Sequence, residues 1–247
     1  MTSTRSSVPW MALWAGSLDR QNTYGQPIGR PVEIEVPRPS PGRGIFLGQY
    51  CRLEPLTRAH APALFEAFAE DAPGFTYLPE EPFVRQEDCA AFCETAEGRE
   101  DPLLFAICDP GGRALGHASY LRIQPASASI EVGYIHFSPA MKGSRIATEA
   151  MFLMMAHAFD DLGYRRYEWK CDALNAPSRA AAQRLGFQFE GIFRQATITK
   201  GRNRDTAWFS ILDHEWPALK SEFTRWLDPG NFDANGVQRS RLVMPRA

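Results

Sequence analysis

The sequence predicts a mixed α/β fold of the α+β kind, with a mostly antiparallel central sheet flanked by helices. Three observations carry this. Two hairpin signals, Asp109-Pro110-Gly111-Gly112 and Lys200-Gly201-Arg202-Asn203, each lie between runs of strand-forming residues. A strand-like run over residues 129–137 is followed by a segment, 145–162, whose apolar residues recur at steps of three and four, the spacing of one helical face. A second strand, 164–172, then leads into a helix start at Asn175-Ala176-Pro177-Ser178.

In chain order, residues 1–46 form a Pro-, Gly- and Arg-containing extension with a linker at Pro37 to Gly42. The first strand spans about 49–56. A helix over 58–70 follows, with Thr57 as N-cap and Leu64, Phe65 and Phe68 as its buried stripe. A second helix covers 86–97, and the apolar turn Phe75-Thr76-Tyr77-Leu78-Pro79 between the two is placed to roof a pocket. Strands 103–108 and 114–123 form the first hairpin, and 129–137 joins them as an antiparallel meander. In that third strand, alternation puts Ile130, Val132, Tyr134 and His136 on one face and Glu131, Gly133, Ile135 and Phe137 on the other. Ser138-Pro139 stops it. The long helix buries Ala147, Ala150, Met151, Met154, Ala158 and Leu162 and ends at Leu162-Gly163. After the helix beginning at Asn175 come strands 187–199 and 205–212, a closing helix over 215–227, and a polar tail, 228–247.

The chemistry concentrates between residues 129 and 191. The long helix begins near Gly143-Ser144, where first-turn N–H groups are free and the helix dipole is positive. Lys142 and Arg145 add two cations, so the loop suits a phosphate. By itself such a loop is more often an ordinary exposed helix start. Asn175, Pro177 and Ser178 by themselves read as a helix cap.

Taken in order, Tyr50-Cys51-Arg52-Leu53-Glu54-Pro55-Leu56, Glu131-Val132-Gly133-Tyr134, Lys142 to Ala147 with Thr148-Glu149-Ala150, Asn175-Ala176-Pro177-Ser178, Arg184-Leu185-Gly186-Phe187 and Glu190-Gly191 form one pattern. It resembles the GNAT superfamily of N-acetyltransferases, in the branch of the RimJ and RimL ribosomal-protein N-terminal acetyltransferases, over about residues 47–226. The resemblance implies a GNAT fold over 47–227, acetyl-CoA as cosubstrate, a primary amine as acceptor, and no metal. It implies that the loop Lys142, Gly143, Ser144, Arg145, Ile146 and Ala147 holds the CoA pyrophosphate through backbone amides. In the family pattern Gln/Arg-x-x-Gly-x-Gly/Ala, Lys142 stands first, Arg145 replaces the inner Gly and Ala147 stands last. The Arg145 guanidinium is expected to fold back onto phosphate. Backbone amides from Ile135 to Phe137 are candidates for the thioester carbonyl and pantetheine arm. Asn175 corresponds to a CoA-arm contact and Ser178 to the serine that protonates the leaving thiolate.

Glu131 is the first choice of base, acting through water, because a Glu inside an apolar strand is costly to bury without a task. The alternative is an exposed strand position paired with Arg122 or another cation. His136 is the second candidate by its ordinary pKa, and Glu149, in the first turns of a helix, reads as structural. Tyr77, Tyr120, Trp169 and Trp208, with Phe75, are the aromatic candidates for the acceptor pocket. Arg122, Arg194 and Arg204 are the cations for a carboxylate-bearing acceptor. Protein N-termini and small-molecule amines both remain open as acceptors, as does a homodimer. The alternative from another class is a catalytically silent acyl-CoA sensor or interaction module.

Composition sets the remaining bounds. The 247 residues are 44% apolar with a formal charge of −2, enough for one sizeable core and without the basic excess of a nucleic-acid binder. No apolar run approaches a membrane span and Val8 to Ala15 lacks a cleavage signal, so a cytoplasmic location is expected. Five cysteines without disulfide spacing read as reduced thiols. Cys89 and Cys93 lie one helical turn apart without a second pair to complete a metal site, and Cys171 reads as a packing thiol rather than a nucleophile.

Overall fold

A computed structural model describes residues 20–245. Residues 1–19, including Val8 to Ala15, and residues 246–247 lie outside the described part. Two compact units divide the chain between residues 35 and 36. In the first, the Asn22 side chain accepts from the N–H groups of Tyr24 and Gln26 and closes a turn. The second unit holds the expected domain, with residues 36–45 of the expected extension laid along it. Arg38 donates its backbone N–H to Pro125 and its Nε to the Leu162 carbonyl.

Eight strands form one sheet: β1 (Phe46–Leu47), β2 (Arg52–Pro55), β3 (Leu103–Cys108), β4 (Ala114–Gln124), β5 (Ser129–Phe137), β6 (Arg166–Asp172), β7 (Gln188–Thr199) and β8 (Arg202–Leu212), in spatial order β1-β2-β3-β4-β5-β6-β8-β7. Every neighbouring pair is antiparallel except β5 and β6. That pair is parallel because a whole helix, not a turn, connects it. The second hairpin turns more tightly than expected. Lys200 and Gly201 both take positive φ, 49° and 69°, so two residues suffice and β8 begins at Arg202.

Five helices cover the sheet: α1 (Ala61–Phe68), α2 (Gln86–Glu97), α3 (Arg145–Ala156), α4 (Ala176–Arg184) and α5 (Trp216–Leu227). β3 is buried along its whole length, so its alternate residues divide two cores. Leu103, Phe105 and Ile107 join α3 and α5 through Met151, Met154, Leu219 and Phe223, whereas Leu104, Ala106 and Cys108 join α1 and α2 through Leu64, Phe68, Cys89 and Cys93. Every residue expected on the buried face of the long helix is buried. Glu149 is structural, as its position suggested, but by a different route. Its carboxylate accepts the N–H groups of Gln49, Tyr50 and Cys51 at 2.7–2.8 Å, anchoring the entry to β2 against α3. The tail docks as well, with Phe232 packed beside Tyr50, Trp226 and Leu227.

Candidate active site

β5 and β6 run side by side only as far as the pair Val132 and Trp169. Beyond it β5 stays with β4 to Phe137, and β6 stays with β8 to Asp172. The two strands therefore part, and the backbone of 133–137 faces an opening instead of a neighbour. At the same place β5 carries a bulge. Tyr134 and Ile135 lie opposite the single residue Ala118, and Tyr134 sits at φ 53°, an unfavourable region for a residue with a side chain. Two side chains of β4 hold the bulge: Ser119 Oγ donates to the Gly133 carbonyl at 3.0 Å and His117 Nδ1 to the Tyr134 carbonyl at 2.9 Å. Because a trans peptide points its N–H opposite its carbonyl, the N–H groups of Tyr134 and Ile135 turn away from β4, the side from which β6 has withdrawn.

The bulge corrects the simple alternation expected for this strand. Ile135 and Phe137 pack with Ile130 and Val132 in the α3 core, while Tyr134 packs with the α1–α2 core. His136 follows Tyr134, stacked on Phe68 at 3.8 Å between ring centres. One extra residue exchanges the faces of everything after it.

On the α3 face, Ser144 caps the helix, accepting the Ala147 N–H at 3.3 Å. The first intrahelical bond is from Thr148 N–H to the Ser144 carbonyl, so the N–H groups of Arg145 and Ile146 precede the helical ladder. Gly143 is at φ 74°. The two loop cations do not converge on this helix end. Lys142 is ion-paired with the buried Asp71 at 2.7 Å, and the Arg145 guanidinium lies 4.4 Å above the Tyr50 ring and 5.4 Å from that of Phe232. The Arg145 guanidinium here forms a cation–π stack on the Tyr50 ring.

At the far side of the opening, Asn175 caps α4 by accepting the Ser178 N–H at 3.1 Å. The Ser178 hydroxyl in turn accepts the indole N–H of Trp169, the last β6 residue paired with β5, at 3.0 Å. Cys171, two residues on, is buried, and burial pushes its thiol up despite a hydrogen bond with Ser178. That favours the packing role over a nucleophile.

The opposite face of the same strands is charged. Glu131 is buried, with Arg122 at 2.7 Å on one oxygen and Lys170 at 2.9 Å on the other. Burial pushes its carboxyl up while Lys170 and Arg122 pull it down, and the net displacement is upward. His136 shares Asp71 with Lys142, at 3.2 Å, and burial lowers its pKa to about 4; burial and His136 together lower His117 to about 3. Both imidazoles are therefore neutral near pH 7.

The Phe75-to-Pro79 turn is tied down over this end of the sheet. Lys200 donates to the Phe75 carbonyl at 2.9 Å, and Tyr77 donates its hydroxyl to the Leu174 carbonyl at 3.2 Å. Of the aromatic acceptor candidates, Tyr77 belongs to this turn and Trp208 lies over Lys170 on the charged face. Trp169 is buried with the α3 core and reaches the opening only through its indole N–H on Ser178. Tyr120 does not border the opening: it is fully buried, with its hydroxyl on the Met154 carbonyl at 2.6 Å, and belongs to the α3 core. Arg122 holds Glu131 through one guanidinium nitrogen, and the Arg204 Nε is enclosed without an acceptor among the described residues. A cavity of about 140 Å³ behind the bulge, bordered by Tyr134, Glu80, Phe92 and Arg99, had no local signature in the sequence.

One group of possible metal donors, Glu54, His60 and Cys108, occurs among the described residues. Its members are already satisfied: Glu54 holds Arg52 and His60, and His60 Nδ1 accepts the Thr57 N–H. No described helix is long and apolar enough to cross a membrane.

A model of the acetyltransferase (GNAT) domain matches residues 51–188. The crystal structure of a GCN5-related N-acetyltransferase from Brucella melitensis is similar, with 48% identity, a TM-score of 0.83, and coverage of 85% of this chain and 97% of that one. The uncharacterized N-acetyltransferase YnaD of Bacillus subtilis is 26% identical over 155 residues, covering 62% of this chain and 88% of its own. The ribosomal-protein-serine acetyltransferase of Escherichia coli is 32% identical over 82 residues, covering 33% of this chain and 45% of its own.

Proposed function

The chain belongs to the GNAT family of acetyltransferases, which use acetyl-CoA, and on that premise we propose that it acetylates a primary amine by direct attack in a ternary complex. The observation that carries the reading is the parting of β5 and β6 beside Ser178, with a bulged strand on one side and a capped helix on the other.

In this reading the N–H groups of Gly143, Arg145 and Ile146 take the pyrophosphate at the start of α3, and Asn175 contacts the CoA arm. Phe137 supplies apolar contact for the arm. The N–H groups of Tyr134 and Ile135 take the thioester carbonyl oxygen, whose charge grows as the amine adds. The new C–N bond forms as C–S breaks. The departing thiolate takes a proton through the Ser178 hydroxyl and the amine gives one up, so the step balances. The acceptor enters from the face that carries His117 and His136, beneath the tethered turn, with Tyr77 and Trp208 at its borders and Trp169 behind Ser178.

For the acceptor, the RimJ/RimL-like branch is proposed, with a protein N-terminus ahead of a small-molecule amine. Its support is the Asn175–Ser178 pattern and the similarity to a protein named for acetylating a ribosomal-protein serine. Calorimetric titration with acetyl-CoA, then thiol release against N-terminal peptides and small amines, tests the whole reading. Tight binding with amine-dependent release supports it. Binding without release from any acceptor would make the chain an acyl-CoA sensor, and no binding would remove the loop assignment.

A further inference from the structure

We propose that Lys170 and Glu131 form a cross-strand clamp that sets where β5 and β6 part, which makes both positioning residues for acetyl transfer and takes Glu131 out of the role of base. The proposal rests on the acetyltransferase reading above.

The argument begins with the register. Glu131 of β5 and Glu168 of β6 are direct partners, one row before the last pair, Val132 and Trp169. Two carboxylates facing each other in neighbouring strands repel and would wedge the strands apart at this row. Lys170 follows immediately after the last pair and has no β5 backbone partner. Its side chain, only 6% exposed, places the ammonium between both carboxylates, 2.9 Å from Glu131 and 2.7 Å from Glu168, and 3.8 Å from the centre of the Trp208 ring. A repulsive row is thereby converted into a clasp.

The clasp is the middle of a longer chain. Arg122 of β4 holds the other oxygen of Glu131, Arg166 joins Glu168 to Glu190 of β7, and Ser210 of β8 donates to Glu190. Charges from four strands and a hydroxyl from a fifth are thus linked across the sheet at the row where it divides. Enclosed ion pairs are costly and an apolar pair of equal size would hold two strands as well. What charge adds is a fixed geometry. The Tyr134 and Ile135 amides begin two residues beyond Val132, so a change in strand separation at the clamp displaces them directly. One Glu131 oxygen is hydrogen-bonded to Arg122 and the other lies 2.9 Å from the Lys170 ammonium, so both face cations of the sheet.

Lys170→Met is the test because it removes the link while leaving Glu131 with Arg122 and Glu168 with Arg166. The expected result is a kcat at least about tenfold lower, as for a small displacement of a reacting group, with acetyl-CoA affinity within about threefold of wild type because the phosphate loop is untouched. Lys170→Arg should restore most of kcat. In acetyl-CoA isotopically labelled at the acetyl carbonyl, the carbonyl NMR resonance of the complex should move toward its free value in Lys170→Met. Glu131→Gln should keep the acidic limb of the kcat/KM pH profile.

Wild-type kcat and an unshifted resonance in a folded Lys170→Met protein would overturn the clamp, and loss of the acidic limb in Glu131→Gln would reinstate Glu131 as base. If Lys170→Met does not fold, Lys170→Arg and Glu131→Gln decide. A wild-type protein that binds acetyl-CoA but releases no thiol with any amine removes the acetyltransferase reading, whereas an active wild type matched by Lys170→Met removes only the clamp.

Discussion

The indole N–H of Trp169 donates to the hydroxyl oxygen of Ser178 at 3.0 Å. The bond uses one acceptor site of the hydroxyl, so its single proton is shared between the neighbouring Cys171 sulfur and a leaving group. Ser178→Ala should lower kcat about a hundredfold, the range for one acid–base group, with acetyl-CoA binding largely intact. Trp169→Phe keeps the ring and loses the donor, and about a tenfold loss is expected from one orienting hydrogen bond. Stopped-flow thiol release at saturating acetyl-CoA separates the two, and a Ser178→Ala enzyme at full rate would discard the acid role.

Gly143 lies at φ 74°, and a Cβ added there meets no atom within 4 Å. Any penalty of Gly143→Ala therefore comes from the backbone alone, about 1 kcal/mol for a left-handed residue. If the loop holds the pyrophosphate, relaxation of that strain should weaken acetyl-CoA binding about fivefold, with little change in thermal stability. Unchanged affinity by calorimetry would move the phosphate site elsewhere.

Glu149 satisfies three backbone N–H groups with one buried carboxylate. Glu149→Ala strands all three and is expected to destabilise the protein by about 3 kcal/mol or more. Urea unfolding measures it. A loss below about 1 kcal/mol would mean that water replaces the carboxylate without penalty.

His136 and His117 are both depressed by burial, to about 4 and about 3. In the unfolded chain an ordinary His titrates near 6.5, so below that pH the unfolded state takes up protons that the folded state refuses. Stability is thus fully present above about pH 6.5 and falls as the pH drops toward 4, by on the order of 3 kcal/mol for His136 alone. Denaturant midpoints at several pH values should show this slope, and His136→Gln should flatten it. An equal slope in the variant would assign it to carboxylates instead.

Much of the architecture was legible from local pattern. The helical stripe from Ala147 to Leu162, the two hairpins and the Asn175 cap each depend on residues a few positions apart. Arg122 was recognisable as a partner for Glu131 because consecutive antiparallel strands bring the two within reach, although Glu131 is buried and only Arg122 is exposed. The candidates that failed did so for want of long-range information. Tyr120 looks like any strand aromatic until the helix above it is placed.

What the sequence determined by itself is the order and type of the main elements and the helix starts at Ser144 and Asn175, because periodicity, turn chemistry and capping act over a few residues. Tertiary structure alone decided the bulge at Tyr134, which exchanges the faces of Ile135, His136 and Phe137. It also decided the engagement of Lys142 by Asp71, the stack of Arg145 on Tyr50, and the seat of Lys170 between Glu131 and Glu168. Each of these joins residues from different elements, and a side chain with several chemically equivalent partners in a sequence has only one within reach once the strands and helices are packed.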